Sequence, residues 1–288
     1  MKKQLPVYKI QHFREAFKET DFYANSFRSH IHQHTIATAP HKHDFFLVVL
    51  FTKGSGTHEI DFITYPVKPG YIFLMAPGQM HNWSLSPNAD GYIFFHTESF
   101  YDKAFTLSGI RDYPFFDSSY HVPFLHLSKK DIVTTETLFK KIVREYKSDE
   151  LMKFAKLHAL LSLVYIELTR HYSSGIKIEN QSYLHKLRKA EKLIDSHYKT
   201  KKYPQEYADL MHMSEKHLNR ICKECLNKTT RELIAERIVL EAKRMLIHSK
   251  YTIKEVALEL GYDDNSYFSR FFKKNTDETP LAFLNRYK

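Results

Sequence analysis

The sequence predicts two domains, an N-terminal β-barrel or jelly roll with trailing α-helices and an all-α C-terminal domain built on a tandem helix-turn-helix. Three observations predict it. The chain has 288 residues, enough for two separate cores. Short apolar runs punctuated by Gly, Pro and Asn fill the first third, and helical periodicity replaces them from Ser128. The last third repeats itself. Ala208-Asp209-Leu210-Met211 aligns with Ala257-Leu258-Glu259-Leu260 at an offset of 49 residues, and Leu218, Arg220, Cys222 and Lys223 align with Phe268, Arg270, Phe272 and Lys273 at an offset of 50. A repeat that keeps residue type as well as spacing is a structural repeat. The expected boundaries are a barrel domain over 1–127, a helical segment over 128–172, a linker over 173–182 and the C-terminal domain over 183–288. Its helix-turn-helix units fall at about 204–225 and 253–275.

In chain order, Val7 to Phe27 is polar and aromatic-rich and predicts no definite element. The histidines His30, His32 and His34 alternate, which reads as a strand with three imidazoles on one solvated or pocket-rim face. Strands are then expected at Phe45–Phe51, Gly56–Phe62, Tyr71–Met75 and Gly91–His96. Turns are expected at Lys53-Gly54-Ser55-Gly56, Pro69-Gly70, Pro77-Gly78 and Pro87-Asn88. Phe45, Phe51, Phe73, Trp83 and Phe94, with His41, His43 and His81, are candidate lining for an apolar ligand pocket with polar anchors; the competing reading for each is plain core.

Ser128 to Ser148 and Leu151 to Tyr172 are amphipathic helices that either cover the sheet or pair with a second subunit. The polar stretch Ser173–Ser182 links to a helix from Leu184 to His197. In the first unit, Met213-Ser214 makes the turn and Ser214 caps the next helix. That helix buries Leu218, Ile221 and Cys222 and leaves Lys216, Asn219, Arg220 and Lys223 outside. In the second, Gly261 makes the turn and Asp263 or Asp264 the cap. Phe268, Phe271 and Phe272 go inward, and Asn265, Ser266, Ser269, Arg270, Lys273 and Lys274 stay outside. Faces of Arg, Lys, Asn and Ser can hydrogen-bond base edges and phosphates in a major groove. The joining helix, Thr229 to His248, sets the separation of the two faces, and one DNA turn is about 34 Å.

The net charge of +10 is uneven: residues 182–288 hold 22 Lys+Arg against 15 Asp+Glu, so the basic excess sits with the repeat. No apolar run reaches membrane-spanning length and Met1–Pro6 leads into no signal-peptide core, so the expectation is a cytoplasmic, nucleoid-associated protein with no membrane partner. Cys222 and Cys225 are the only cysteines, so there is no disulfide framework. Their C-x-x-C spacing lacks the second pair a zinc site needs, and Cys222 falls in a core slot.

These spacings resemble the DNA-binding domain of AraC/XylS-type transcription regulators from about Lys186 to Lys288. The pieces that carry the resemblance are Ser214-x3-Leu218-x-Arg220, Arg237-x4-Ala242-x2-Met245-Leu246, Ile253-x2-Val256-Ala257-x2-Leu260-Gly261-Tyr262, Tyr267-Phe268-x-Arg270-x-Phe272-Lys273-Lys274 and Thr279-Pro280. Asn227 and Asp277 stand where the family usually has Gly, Cys222 where it has Phe, and Leu284 follows Phe283 where an Arg is common. Over about residues 38–97 the chain resembles the cupin-type sensor domain of such regulators, through His41-x-His43-Asp44-Phe45, Gly54-x-Gly56 and Pro69-Gly70 to Pro77-Gly78-x2-His81. Cupin enzymes hold a metal with two such histidines, a Glu and a further His. His41, His43 and His81 fit three of those slots, but Leu47, Val48 and Val49 occupy the neighbourhood of the Glu.

The expectation is therefore hydrogen-bonding pocket histidines, with no metal and no cofactor. The resemblance implies a sequence-specific regulator of transcription, not an enzyme. Its expected partners are double-stranded DNA, a small-molecule effector and a second copy as homodimer, with contact to RNA polymerase left open. The alternatives are a regulator without ligand, controlled by abundance or a protein partner, and a metal-dependent cupin enzyme fused to a DNA-binding domain.

Overall fold

The computed structural model describes residues 6–13, 21–34, 40–103, 109–110, 113–116, 122–174, 181–248 and 251–287. They divide into two compact units, with the division between the helix that ends at Ser174 and the helix that begins at Gln181. The expected linker, over 173–182, therefore overlaps the ends of both helices, and 175–180 lies outside the described residues.

The N-terminal unit contains β1 (Val7–Tyr8), β2 (Phe22–Ser26), β3 (His41–His43), β4 (Phe46–Lys53), β5 (Gly56–Ile60), β6 (Ile63–Val67), β7 (Tyr71–Met75), β8 (Met80–Leu85), β9 (Asp90–His96) and β10 (Phe124–His126). They form two five-stranded sheets, ordered β1-β3-β8-β5-β6 and β10-β7-β4-β9-β2. All pairings are antiparallel except β1 with β3. The expected strands are present, and the segment with no assigned structure supplies β1, a 3-10 turn at Ile10–Phe13 and β2.

The second sheet is buried on both faces, which explains the unbroken apolar run of β4. Phe45, Leu47, Val49 and Phe51 face one core with Phe73, Trp83 and Phe95. Phe46, Val48 and Leu50 face another with Ile72, Leu74 and Phe94. Side chains along a strand alternate, so a strand with two buried faces reads as continuously apolar. The first core lies between the sheets. The second lies under α2 (Glu98–Asp102), α3 (Lys129–Lys147) and α4 (Lys153–Ser174). The two amphipathic helices thus cover the sheet. Ser128 caps α3 by accepting from Asp131 N.

Two expectations are corrected here. His30, His32 and His34 are not on a strand. Phe27–Gln33 is α1, started by Ser26, whose Oγ accepts from Ser29 N at 3.3 Å. Helical spacing puts Phe27 and His30 inward and leaves His32 exposed, so the i, i+3 pattern prevails over the alternation. Phe94 does not line the space between the sheets. Its neighbour Phe95 does, and alternation sends Phe94 outward against Phe139 of α3, ring centroids 5.0 Å apart.

The C-terminal unit contains α5 (Gln181–His197), α6 (Pro204–Leu210), α7 (Glu215–Leu226), α8 (Thr230–His248), α9 (Ile253–Glu259), α10 (Asn265–Thr276) and α11 (Pro280–Arg286). The turn after α6 passes through His212 at φ 53°, and the turn after α9 through Gly261 at φ 77°. A Cβ on Gly261 would lie 2.0 Å from the Lys199 carbonyl oxygen, so only glycine fits that turn. Asn227 and Asp277 end α7 and α10 in the left-handed conformation, which both residues tolerate. The repeat runs further than the sequence reading took it. Thr229 Oγ1 accepts from Glu232 N, and Thr279 Oγ1 from Ala282 N, so a third helix follows each unit with its cap at the same offset.

Polar side chains lock the unit. Arg237 of α8 donates to Asp195 of α5 at 2.7 Å and to Glu241 at 3.0 Å, with its guanidinium 4.1 Å from the Tyr198 ring centroid. Lys202 Nζ donates to the carbonyls of Tyr198 and Leu260, both at 2.5 Å, above the Tyr262 ring. Burial lowers its pKa to about 8. That ammonium joins the segment before the first helix-turn-helix to the turn of the second.

The arginine side chain is only 12% exposed, so its removal takes the short ion pairs from Asp195 and Glu241, of which Glu241 keeps Arg244 at 3.6 Å. Arg237→Ala is expected to destabilise the C-terminal domain by about 3 kcal/mol. The measurement is the shift in its urea midpoint at unchanged slope, and a loss under about 1 kcal/mol would place the pair with ordinary surface ion pairs.

Candidate functional site

Two matched helix faces stand out in the C-terminal unit. Ser214 Oγ accepts from His217 N at 3.2 Å and starts α7; Asp264 Oδ1 accepts from Ser266 N at 2.7 Å and starts α10. Leu218, Ile221 and Cys222 anchor α7, and Phe268 and Phe272 anchor α10. With these sides buried, Lys216, Arg220 and Lys223 are exposed on α7. Asn265, Ser266, Arg270, Lys273 and Lys274 are exposed on α10, with Ser269 half-buried beside them. Arg220 Nη2 lies 2.9 Å from His217 Nδ1, and its guanidinium 5.8 Å from the Tyr183 ring of α5. Tyr183 and His217 thus restrict the arginine on its helix. Burial raises the Cys222 thiol to about 11, as suits a core side chain.

Asn219 differs from the others. It is half-buried, and its Oδ1 accepts from Thr230 N at 3.1 Å, capping the joining helix α8. Its spacing put it on the outward face, yet α8 starts close enough to take its carbonyl. The 19 residues of α8 span roughly 28 Å at the usual helical rise, close to the repeat of one DNA turn.

In the N-terminal unit the predicted lining residues other than Phe94 come together in one core between the sheets. Alternation sets the inner face of the first sheet: His41 and His43 on β3, His81 and Trp83 on β8, His58 and Ile60 on β5 are all buried. Lys42, Thr57, Glu59, Asn82 and Ser84 alternate with them and are half-buried or exposed. Phe45 and Phe73 close the core from the opposite sheet. His43 Nε2 and His81 Nε2 are 2.5 Å apart, and His58 Nε2 lies 2.8 Å from His81 Nδ1. Burial, then the neighbouring imidazoles, holds His43, His58 and His81 well below the ordinary histidine range. The same causes bring His30 down to about 3. Its Nδ1 meets Tyr23 Oη at 3.1 Å, and Asn25 Nδ2 donates to the same hydroxyl at 3.3 Å.

His58 and His30 are absent from the sequence-derived site. The signal for His58 was its place in the alternation of Gly56–Ile60; finding its partner also needed the β5–β8 register, which sets His58 opposite Trp83. His43 Nδ1, His58 Nδ1 and Trp83 Nε1 are buried with no hydrogen-bond partner among the described residues.

Comparison with known proteins matches both units. Residues 23–151 match the family described as AraC-like ligand binding domain, and residues 207–286 match the family described as helix-turn-helix domain. Among curated proteins, the HTH-type transcriptional activator RhaR of Mannheimia succiniciproducens is 20% identical over 250 residues, covering 86% of this chain and 87% of that protein. RhaR of Escherichia coli K12 is 23% identical over 245 residues, 84% and 85%. Among solved structures, the C-terminal domain of AraT, a response regulator from Geobacillus stearothermophilus, covers 35% of this chain and 84% of its own at 26% identity and TM-score 0.33. Unsaturated fatty acid bound ToxT from Vibrio cholerae covers 94% and 97% at 15% identity and TM-score 0.41.

Asn219→Ala removes a helix cap and is expected to lower stability by about 1 kcal/mol. Chemical denaturation of the purified variant checks it. Unchanged stability with altered base preference would return Asn219 to the outward face.

Proposed function

The chain belongs to the AraC/XylS-type transcription regulators, carrying their ligand-binding and helix-turn-helix domains, and from that premise we propose that a small effector held between its N-terminal sheets controls how both recognition helices meet DNA. The observation that carries the DNA half of this reading is the pair of matched faces, with Arg220 and Arg270 in the same slot of α7 and α10. Lys216, Arg220, Asn265, Ser266, Ser269 and Arg270 read base edges in successive major grooves, while Lys223, Lys273 and Lys274 hold phosphates. Asn219 supports them from behind through its cap on α8.

The effector half rests on the buried nitrogens of His43, His58 and Trp83, without partners among the described residues, inside aromatic walls. Polar anchors in an apolar enclosure are the usual make-up of a small-molecule site. Trp83 Nε1 can only donate, so the matching effector carries an acceptor oxygen. Val133 on α3, with Leu163 and Ile166 on α4, remains exposed on the side of the helices away from the sheet and supports pairing with a second copy. No helix of the described residues is long and apolar enough to cross a membrane. Action in the cytoplasm on the nucleoid, and contact with RNA polymerase there, belong to the same reading.

Arg270→Ala is expected to cost about 1–3 kcal/mol on the preferred site and to relax one base position. Lys273→Ala should weaken binding on all sequences alike and reduce the slope of log affinity against log salt by about one. Selection from random DNA, with anisotropy titrations at several salt concentrations, separates the two; unchanged site preference in both Arg270→Ala and Arg220→Ala would refute the assignment of these helices.

Trp83 is the chain's only tryptophan, so its emission reports on the sensor core directly. An effector found by thermal-shift screening of small oxygen-bearing metabolites should change Trp83 fluorescence and operator affinity over the same concentration range. A stabilising compound that leaves Trp83 emission untouched binds elsewhere.

A further inference from the structure

Three side chains from two helices close a triangle at Arg220. Arg220 Nη2 lies 2.9 Å from His217 Nδ1, one turn back on α7. An arginine can only donate, so the imidazole nitrogen is the acceptor. The guanidinium carbon lies 5.8 Å from the Tyr183 ring centroid. The Tyr183 and His217 rings meet edge to face, their centroids 5.8 Å apart and their planes at 80°. Helical spacing on α5 puts Tyr183 there. Leu187 and Ala190, four and seven residues on, are buried on the stripe by which α5 packs against α7 and α8. Tyr183 continues that stripe to its half-buried margin, where the exposed face of α7 begins.

We propose that Tyr183 is a positioning residue for base recognition: its ring, with His217, holds the Arg220 guanidinium in the arrangement that reads one base pair. The proposal rests on the assignment of Arg220 to a base edge. A guanidinium within about 6 Å of an aromatic ring is attracted to its π-face. An exposed arginine has large rotamer freedom, and fixing it on DNA costs affinity. One that is already restrained in the free protein loses less on binding. The bond to His217 takes one of five N–H groups and leaves enough for a forked contact to a base edge. The benefit therefore falls on the base pair that Arg220 meets, and Tyr183 touches no DNA itself. Lys186 Nζ also lies 5.9 Å from the Tyr183 ring, but it belongs to α5 and not to a recognition helix. Tyr183 stands in the first turn of the first helix of the C-terminal unit, so the brace on Arg220 is built where the chain enters that unit.

The test is selection from random duplex DNA with the full-length chain, followed by anisotropy on the selected duplex. Tyr183→Leu removes the π-face and keeps the bulk, and Tyr183→Phe keeps the ring. Tyr183→Leu should relax the same base position as Arg220→Ala and leave the position read by Arg270 unchanged. It should weaken binding to the selected duplex by about 2- to 10-fold, the cost of ordering one rotamer-rich side chain. The slope of log affinity against log salt should stay as it was, since no phosphate contact is lost. Tyr183→Phe should retain wild-type preference. In an Arg220→Ala background Tyr183→Leu should cost nothing more, because the group it positions is gone. An equal loss in both backgrounds overturns the proposal and makes Tyr183 a structural residue or a DNA contact in its own right. So does Tyr183→Leu with wild-type preference while Arg220→Ala relaxes a base. Unchanged preference in Arg220→Ala itself overturns the base-reading role of α7 and this proposal with it. His217→Ala breaks the triangle from the α7 side. If Tyr183→Leu fails to fold, relaxation of the Arg220 base position in His217→Ala supports the brace, and wild-type preference there overturns it.

Discussion

Both faces of the strand Phe46–Lys53 are apolar, so it cannot lie at a surface, and the N-terminal domain is built to cover it twice. One face needs the second sheet and the other needs α3 and α4. Each buried large side chain on those faces is worth about 1.5–3 kcal/mol relative to exposure. Phe46, Leu47, Val48, Val49, Leu50 and Phe51, all at 0–1% exposure, therefore outweigh any single polar contact in the domain. The same constraint fixes where polarity can go. The inner face of the first sheet carries the buried imidazoles of His41, His43, His58 and His81, and Asn25 of β2 and His30 of α1 add a smaller buried polar group joined through the Tyr23 hydroxyl. An imidazole can be buried neutral, whereas a carboxylate or an ammonium would need a paired charge.

The C-terminal domain answers a different constraint. Two short helix-turn-helix units have small cores of their own, and the lighter first unit has Cys222 where the second has Phe272. Long α8 gives both a common wall, and Arg237 and Lys202 fasten it. Arg237 reaches back to α5, and Lys202 bridges a carbonyl on the first side to one on the second. A stiff connection matters because two weak contacts on one chain reinforce each other only when their spacing matches that of the two grooves.

Much of this was legible in the sequence, and the failures have physical causes. Ser128, Ser214 and Asn227 all lie at the helix ends their chemistry suggests, because capping is local. The repeat was legible because packing demands the same residue types at the same spacing. Histidine alternation at 30, 32 and 34 misled, since three residues match a strand period by chance while Ser26 and the Phe27/His30 pair set a helix. Phe94 was misplaced because a doubly buried strand has no polar residues to mark which face is which. Asn219 was placed by helical spacing alone, which cannot see that the next helix begins within reach of its side chain. His58 escaped for the same reason: its partner His81 is 23 residues away, and only strand register brings them together.

The buried histidines also limit how the domain can signal. His43, His58 and His81 form a chain of nitrogens, 43 to 81 to 58, with an Nδ1 at either end that has no partner among the described residues. Neutral imidazole has one donor and one acceptor, so any proton assignment along this chain leaves a donor at one end and an acceptor at the other. An unpaired buried donor costs about 1–3 kcal/mol, and the Trp83 indole adds a second. A small molecule or ion that satisfies such groups therefore gains more here than its apolar area alone would give. That gain regulates only if it differs between the DNA-competent and incompetent states, because a ligand bound equally to both shifts nothing. The strands that carry these imidazoles must then change register, tilt or packing between the two states. The first sheet is better suited to that than the second, since its outward side chains Thr57 and Ser84 are exposed, while β4 and its neighbours are buried on both faces.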